Sequence, residues 1–509
     1  MLVVAPARAL VRLVPVLLIV LITGRGDDPV RIWISVGITV LVVLAGVVRW
    51  RTTQYRITPE RVELHSGWLR RQRRSVPRDR IRTVDLTASP LHRLFRLNVV
   101  VVHAAGTGAE HRHGGLELDA VDTAEGEKLR GELLDRSAIG PPPDPPPRSD
   151  DATPDPPIHL PERDAPVLLA RLHWSWVRFA PLTFSALAGV GAVAAAAFNI
   201  LNELGVSPRR IGAEAAAAGL GRTPLWVTIG LVGALLLVLA VVGSVVLFTE
   251  RWWGYRLTRE SDGTLRVRRG LLTTRSLSVA EDRLRGVAVH EPLLLRAGRG
   301  AQTRALSTGL GRGAQGGVLQ PPAPRAEAHR VAAAALSAPR AEGPRPHLDE
   351  PHDPTRAPLT RHPAAATRRR FTRALVPTGA LVVAAVVVGK VWPDLDWIWP
   401  TALVLVPIAG LLALDRARAL GHALTPTYLV SRLGGLSRRT VALQRTGVIG
   451  WRVRQSPFQR RAGLVTLVAV TAAGQGGYSI PDVGADTAVA LITAVTPSST
   501  DITETRPVS

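Results

Sequence analysis

Cysteine is absent from this chain of 509 residues, which excludes disulfide frameworks, thiolate metal sites and cysteine nucleophiles. Lysine is nearly absent too: Lys128 and Lys390 are its two copies, neither within a Walker sequence, and the formal net charge of +23 rests on arginine. Aromatic residues make up 5%, too few to interleave those arginines with the stacking platforms that single-stranded nucleic acid requires. No nucleic-acid partner is expected. No Gly-x-Ser-x-Gly elbow occurs, and the carboxylates are scattered over turns and linkers, which leaves hydrolase chemistry without a nucleophile. Gly311-Arg-Gly313-Ala-Gln-Gly316 has the spacing of a dinucleotide loop, but a polar stretch precedes it and Gln320-Pro-Pro follows, so the strand and helix of that motif are missing. His111-Arg-His113 offers two imidazoles where a metal site needs three or four ligands. Neither cofactor nor metal is expected.

What is present is apolar length. Hydrophobic residues reach 46% while charged residues still make up 20%, the mixture produced when membrane spans alternate with polar segments. Six runs stand out: Ala9–Thr23, Ile32–Val48, Phe179–Leu201, Leu225–Phe248, Ala374–Val391 and Trp397–Leu414. Most approach the ~20 residues that cross about 30 Å of hydrocarbon. They fall into three pairs, and ten of the twelve tryptophans lie at or near their ends, where indoles favour the headgroup level. The first run lacks a clear cleavage site and is read as a retained span rather than a signal peptide. Arginines flank every hairpin on its outer ends, from Arg8 and Arg12 to Arg416 and Arg418; the positive-inside rule then puts the N-terminus and the polar domains in the cytoplasm.

The segment after each hairpin changes to short alternating stretches that suit strands. Tyr55-Arg-Ile-Thr reappears as Tyr255-Arg-Leu-Thr, and the run from Gly67 to Ile81 lies without a gap over Gly270 to Leu284, sharing Ser-Val-x-x-Asp-Arg. The third copy shows Leu424-Thr-Pro, a turn at Gly434 and Gly435, and Val441-Ala-Leu-Gln-Arg445, so that Arg80, Arg283 and Arg445 are read as one repeat position. Ser89-Pro-Leu, Glu291-Pro-Leu and Ser456-Pro-Phe read as equivalent helical turns. Each copy closes with a helix, Ala120–Leu134, Pro324–Leu336 and Val483–Val495. The stretch Arg296–Gly317 is rich in Gly, Arg and Ala, and the second copy is expected to be degenerate there.

This pattern resembles the bacterial pleckstrin-homology-like membrane proteins of the YdbS and YdbT type, over nearly the whole chain apart from linkers. The resemblance implies antiparallel β domains each capped by a C-terminal helix, an α+β fold carried on six transmembrane helices, and assembly with a smaller membrane protein of the same kind. The expected boundaries are hairpin 1 over 1–50, β domain 1 over 51–136, a Pro-rich linker over 137–166, hairpin 2 over 167–250 and β domain 2 over 251–338. A disordered linker over 339–370, hairpin 3 over 371–416, β domain 3 over 417–496 and a disordered tail over 497–509 complete the chain.

The reading is a non-enzymatic membrane protein whose β domains bind anionic lipid headgroups or partner membrane proteins. Candidate headgroup contacts are Arg70, Arg71, Arg73 and Arg74 in the first copy and Arg438 and Arg439 in the third, because a basic side chain near an anionic leaflet gains roughly 1 kcal/mol. The rival, a membrane enzyme or transporter, needs clustered carboxylates, histidines or intramembrane charges, and the sequence shows no such cluster.

Overall fold

The computed structural model describes residues 54–58, 60–66, 72–78, 81–104, 115–134, 165–183, 225–308, 317–337 and 353–496, with positions 191, 195 and 199. The chain forms two compact units: residues 1–169, 254–283 and 308–316 make the first, and residues 170–253, 284–307 and 317–509 the second.

In the first unit the polar module described from residue 54 to residue 134 is a pair of three-stranded sheets. The leading sheet has the order β1 (Gln54–Ile57), β2 (Arg61–Ser66) and β3 (Gln72–Pro77). The trailing sheet comprises β4 (Ile81–Ala88), the short helix α1 (Pro90–Leu94), β5 (Leu97–Ala104), β6 (Gly115–Asp122) and the closing helix α2 (Thr123–Leu134). Period-2 alternation sends one face of each sheet inward. Val62, Leu64 and Val76 of the leading sheet thus meet Val84, Leu86, Val100, Val102 and Leu118 of the trailing sheet and Leu129 and Leu133 of α2 in one core.

The trailing sheet does not end at β4. Strand β10 (Thr274–Ala280) of the second module lies antiparallel against it, Thr274 opposite Ala88 through Val279 opposite Thr83. The sheet continues through β9 (Thr264–Arg269) and β8 (Arg256–Arg259) to β7 (Val167–Arg171). An ion network fastens this join: Arg130 of α2 reaches Glu260 at 2.8 Å, and Arg266 of β9 binds Glu127 of α2 and Glu260. Burial would raise the pKa of Glu127, but Arg266 and Arg130 hold it below the ordinary carboxylate value.

The second unit repeats the scheme and adds the membrane helices. Helix α3 (Leu225–Trp252) precedes β11 (Leu284–Pro292), α4 (Leu293–Ala297), β12 (Gly300–Ser307), β13 (Ala323–Pro324) and α5 (Arg325–Leu336). After α6 (Ala364–Val391), α7 (Ile398–Leu403) and α8 (Leu405–Arg418) come the leading strands β14 (Gly421–Leu424), β15 (Tyr428–Leu433) and β16 (Ser437–Gln444). The third trailing sheet is β17 (Gly450–Arg454), α9 (Pro457–Arg461), β18 (Leu464–Val470) and β19 (Gly477–Gly484), closed by α10 (Ala485–Val495). Here β16 pairs with β11, Gly286 opposite Leu443 through Pro292 opposite Ser437. Leu429, Val441 and Leu443 pack with Leu467, Tyr478, Ile480 and Leu491 in the third module's core.

Three helical segments among the described residues are long and apolar enough to cross a membrane: Gly233–Trp252, Ala364–Val391 and Pro393–Arg418. Six were expected. The runs Ala9–Thr23 and Ile32–Val48 lie outside the described residues, and Phe179–Leu201 opens inside a 3-10 helix over Trp174–Leu182, beyond which little is described.

Other expectations are corrected. The second module keeps the middle trailing strand, since β12 pairs with β11 from Gln302 opposite His290 to Ser307 opposite Leu284, and it is reduced at its last strand, β13, which has two residues where β6 and β19 have eight. Its small residues answer to packing: a Cβ on Gly300 would meet Leu295 at 2.7 Å and Phe179 at 2.8 Å. The linker expected over 339–370 is ordered from residue 353, where Asp353 caps the 3-10 turn Pro354–Arg356 and α6 begins at Ala364.

The repeat alignment also shifts. Gly270 (φ 112°) and Gly434 (φ 115°) occupy one hairpin turn in left-handed backbone, where an added Cβ would lie 2.0 Å from the carbonyl oxygen three residues on. Counted from these glycines, Arg445 matches Glu281 rather than Arg283, and through the gapless stretch it matches Arg78. Arg78 donates to the carbonyl of Glu132 in the last turn of α2, and Arg445 to that of Ala494 in α10, a helix-end clamp made twice. The left-handed residues Arg96, Arg299 and Gly463 each follow the start of α1, α4 or α9 by six positions. Pro292 therefore caps its helix, and Leu293 is the counterpart of Pro90 and Pro457.

Candidate functional site

A cleft of about 660 Å³ opens at the polar end of the third hairpin. Three elements make its walls. One is the strap between the Asp353-capped turn and α6, contributing Pro358, Leu359, Arg361 and His362; the others are Thr367 in the first turn of α6, and Leu414, Ala417 and Arg418 in the last turn of α8. Arg432 on β15 completes the lining. The strap is held by a two-way backbone bridge, Thr360 N–H to the carbonyl of His422 at 2.8 Å and the reverse at 3.3 Å.

Three guanidiniums, one imidazole and one hydroxyl face this space, and no carboxylate lines it among the described residues. The charged side chains of this lining are all cationic. Burial lowers the pKa of Arg432, Arg438 and Arg325 lower it further, and Glu291 opposes them. Burial lowers the pKa of His362, the carbonyls of Pro481 and Asp482 and the Asp482 carboxylate oppose it, and Arg370 lowers it further. His362 bonds the carbonyl of Pro481 at 3.0 Å through Nδ1, leaving Nε2 to accept from Nδ1 of His422 at 3.1 Å. His422 is pushed down to about 4 by burial and by His362.

Beside the cleft the hairpin is locked to the third module. Asp482 sits in a bulge of β19, where pairing with β18 skips between Val465 and Leu467, and has φ 62°. The bulge turns its carboxylate inward. There it is fully buried, within 2.6 Å of Arg370 Nη2, bound to Arg369, and 2.7 Å from Gln459 Nε2. Asp415 near the end of α8 makes a second tie, to Arg296 at 2.8 Å and Arg438 at 3.1 Å.

The expected contact residues have other occupations. Arg70 and Arg71 lie outside the described residues, and only the backbone of Arg74, in β3, is described. Arg73 is bonded at 3.0 Å to both oxygens of Glu63 on the neighbouring strand. Arg438 is held by Asp415, and Arg439 bonds Gln475 at 2.9 Å and stands 4.9 Å over the Tyr478 ring. Arg73, Arg438 and Arg439 are not among the residues that line the cleft. Arg361, Arg418 and Arg432, which do, are far apart in sequence, and Arg361 falls in a stretch whose composition reads as linker. The Gly311–Gly316 loop and the His111 and His113 pair lie outside the described residues. Among the described residues no group of His, Cys, Asp and Glu could hold a metal ion.

Comparison with known proteins places this architecture. The chain is 25% identical over 117 residues to the UPF0699 transmembrane protein YdbT of Bacillus subtilis (strain 168), a match covering 22% of this chain and 23% of that protein. The chain thus spans about a quarter of the length of the curated relative it matches. No solved structure matches the chain. The bacterial PH domain family matches three times, over residues 8–137, 196–348 and 378–497, once for each β module. With most of its length so matched, the chain belongs to the bacterial PH domain family.

Proposed function

We propose that this membrane protein binds anionic lipid headgroups through its PH-like modules, and that the cleft at the base of the third hairpin is the binding site. One observation carries the reading: Arg361, Arg418 and Arg432 converge, with no lining carboxylate among the described residues, where the segments Ala364–Val391 and Pro393–Arg418 meet the polar module. A phosphodiester entering from the leaflet edge meets planar guanidiniums, which bind phosphate oxygens in pairs. The Thr367 hydroxyl supplies a further hydrogen bond, and Pro358, Leu359 and Leu414 accept the glycerol and upper acyl carbons. Arginine flanks put the module in the cytoplasm, whose leaflet is anionic. The protein is read as non-enzymatic, a membrane-anchored binding scaffold.

The reading is tested by the lipid that the full-length protein retains. After extraction from nanodiscs containing equal amounts of anionic and zwitterionic lipid, native mass spectrometry is expected to find anionic lipid enriched at least tenfold on the protein. Equal retention of the two would remove the lipid reading.

A further inference from the structure

Two sheets cross module boundaries, and they are joined in the same way. In each, the last leading strand of one module lies antiparallel against the first trailing strand of the module before it, β10 on β4 and β16 on β11. The registers coincide when counted from fixed points. Ser276 and Thr440, each six residues after a turn glycine, face Leu86 and Val289, each four residues before a short helix.

Three leading and three trailing sheets joined twice leave one edge of each kind, β3 and β17. Each ends a three-stranded sheet, β1-β2-β3 and β17-β18-β19, and no strand among the described residues pairs with its outer side. The same count, with Gly67 matched to Gly270, puts Arg73 of β3 opposite Val453 of β17, and Ser75 opposite Trp451. These positions are conspicuously uncovered. Val453 is 54% exposed, whereas its counterparts Leu86 and Val289 are 4% and 0% exposed. Ser75 is exposed, whereas its counterparts Ser278 and Ala442 are fully buried.

We infer that β17 of one molecule pairs with β3 of a second copy of this chain, making a third seam in the register of the two internal ones. An open strand edge is a template for another strand, and the edge that repeats the joined edges of this protein belongs to the protein itself. The contact is head-to-tail, so it propagates from copy to copy until it closes into a ring. Arg74 falls opposite Arg452 in this register. Like charges across a pair weaken it, so the third seam is looser than the internal two, reversible, and strengthened by salt that screens the arginines.

The natural absence of cysteine makes the test direct. Full-length chains carrying Arg73→Cys and, separately, Val453→Cys are co-expressed in one membrane with different tags and oxidised. A reducible dimer carrying both tags is expected, in higher yield at higher salt. The pair Arg73→Cys and Arg454→Cys, one residue out of register, is expected to give at least tenfold less. A chain with Arg73→Cys and Val453→Cys together is expected to form a ladder of multimers. An oxidised product that stays monomeric and runs faster would show the chain closing on itself and would overturn the inference. Thiols that remain open to maleimide after oxidation would overturn it equally.

Discussion

Replacing Asp482 with alanine is expected to destabilise the third module by about 3–5 kcal/mol, because removing one member of a buried ion pair leaves its partners charged and uncompensated. Here two guanidiniums, of Arg369 and Arg370, lose the same carboxylate, and Gln459 loses a hydrogen-bond acceptor. Alanine also fits the left-handed backbone at φ 62° poorly. Asp482→Asn separates these causes, since asparagine tolerates that backbone and can still accept from Gln459; it loses only the charge and should cost less. Denaturant unfolding of the full chain in detergent, followed by amide hydrogen exchange of the strands β18 and β19 in the third module, reads both variants. A loss below about 1 kcal/mol for the alanine variant would mean that the lock between α6 and the β module contributes no more than an exposed ion pair.

The largest functional effect is expected from changing Arg361, Arg418 and Arg432 together to glutamine. At roughly 1 kcal/mol for each basic group near an anionic leaflet, their loss amounts to about 3 kcal/mol, or about a hundredfold in preference for anionic lipid. The same three positions changed to lysine keep the charge and lose the planar fork, so retention should fall by about tenfold or less. Glutamine at Arg73, Arg438 and Arg439 serves as the contrast: these side chains are held by Glu63, Asp415 and Gln475 outside the cleft, and retention should change by less than about threefold. Should this second triple lose the lipid and the first keep it, the headgroup site would lie on the strands.

The third hairpin and the closing helices are legible in the sequence because their signals are local. Runs of apolar residues mark α6 and α8, and α2, α5 and α10 fall where helical patterns follow the last strand. Pairing was not legible. Alternation tells which face of β4 is buried, but nothing in it says that the neighbour belongs to the next module, since edge hydrogen bonds are made by backbone common to every residue. Strand β12 is not legible because it opens on Gly300, held to its size by Leu295 and Phe179, in a stretch whose Gly, Ala and Arg content resembles a loop. Arginines adjacent in sequence need not converge in space, for a related reason. Neighbours on a strand point to opposite faces, and Arg438 and Arg439 accordingly turn to Asp415 and Tyr478. Arg361, Arg418 and Arg432 come together through the strap, α8 and β15, a conjunction made by tertiary structure alone.

The most direct measurement is a high-resolution structure of the full-length protein in nanodiscs of anionic lipid. Ordered phosphate density in the cleft, within hydrogen-bond distance of the Arg418 and Arg432 guanidiniums, is the result expected. A cleft filled only by solvent, with ordered headgroups resting instead on other surfaces of the protein, would contradict it.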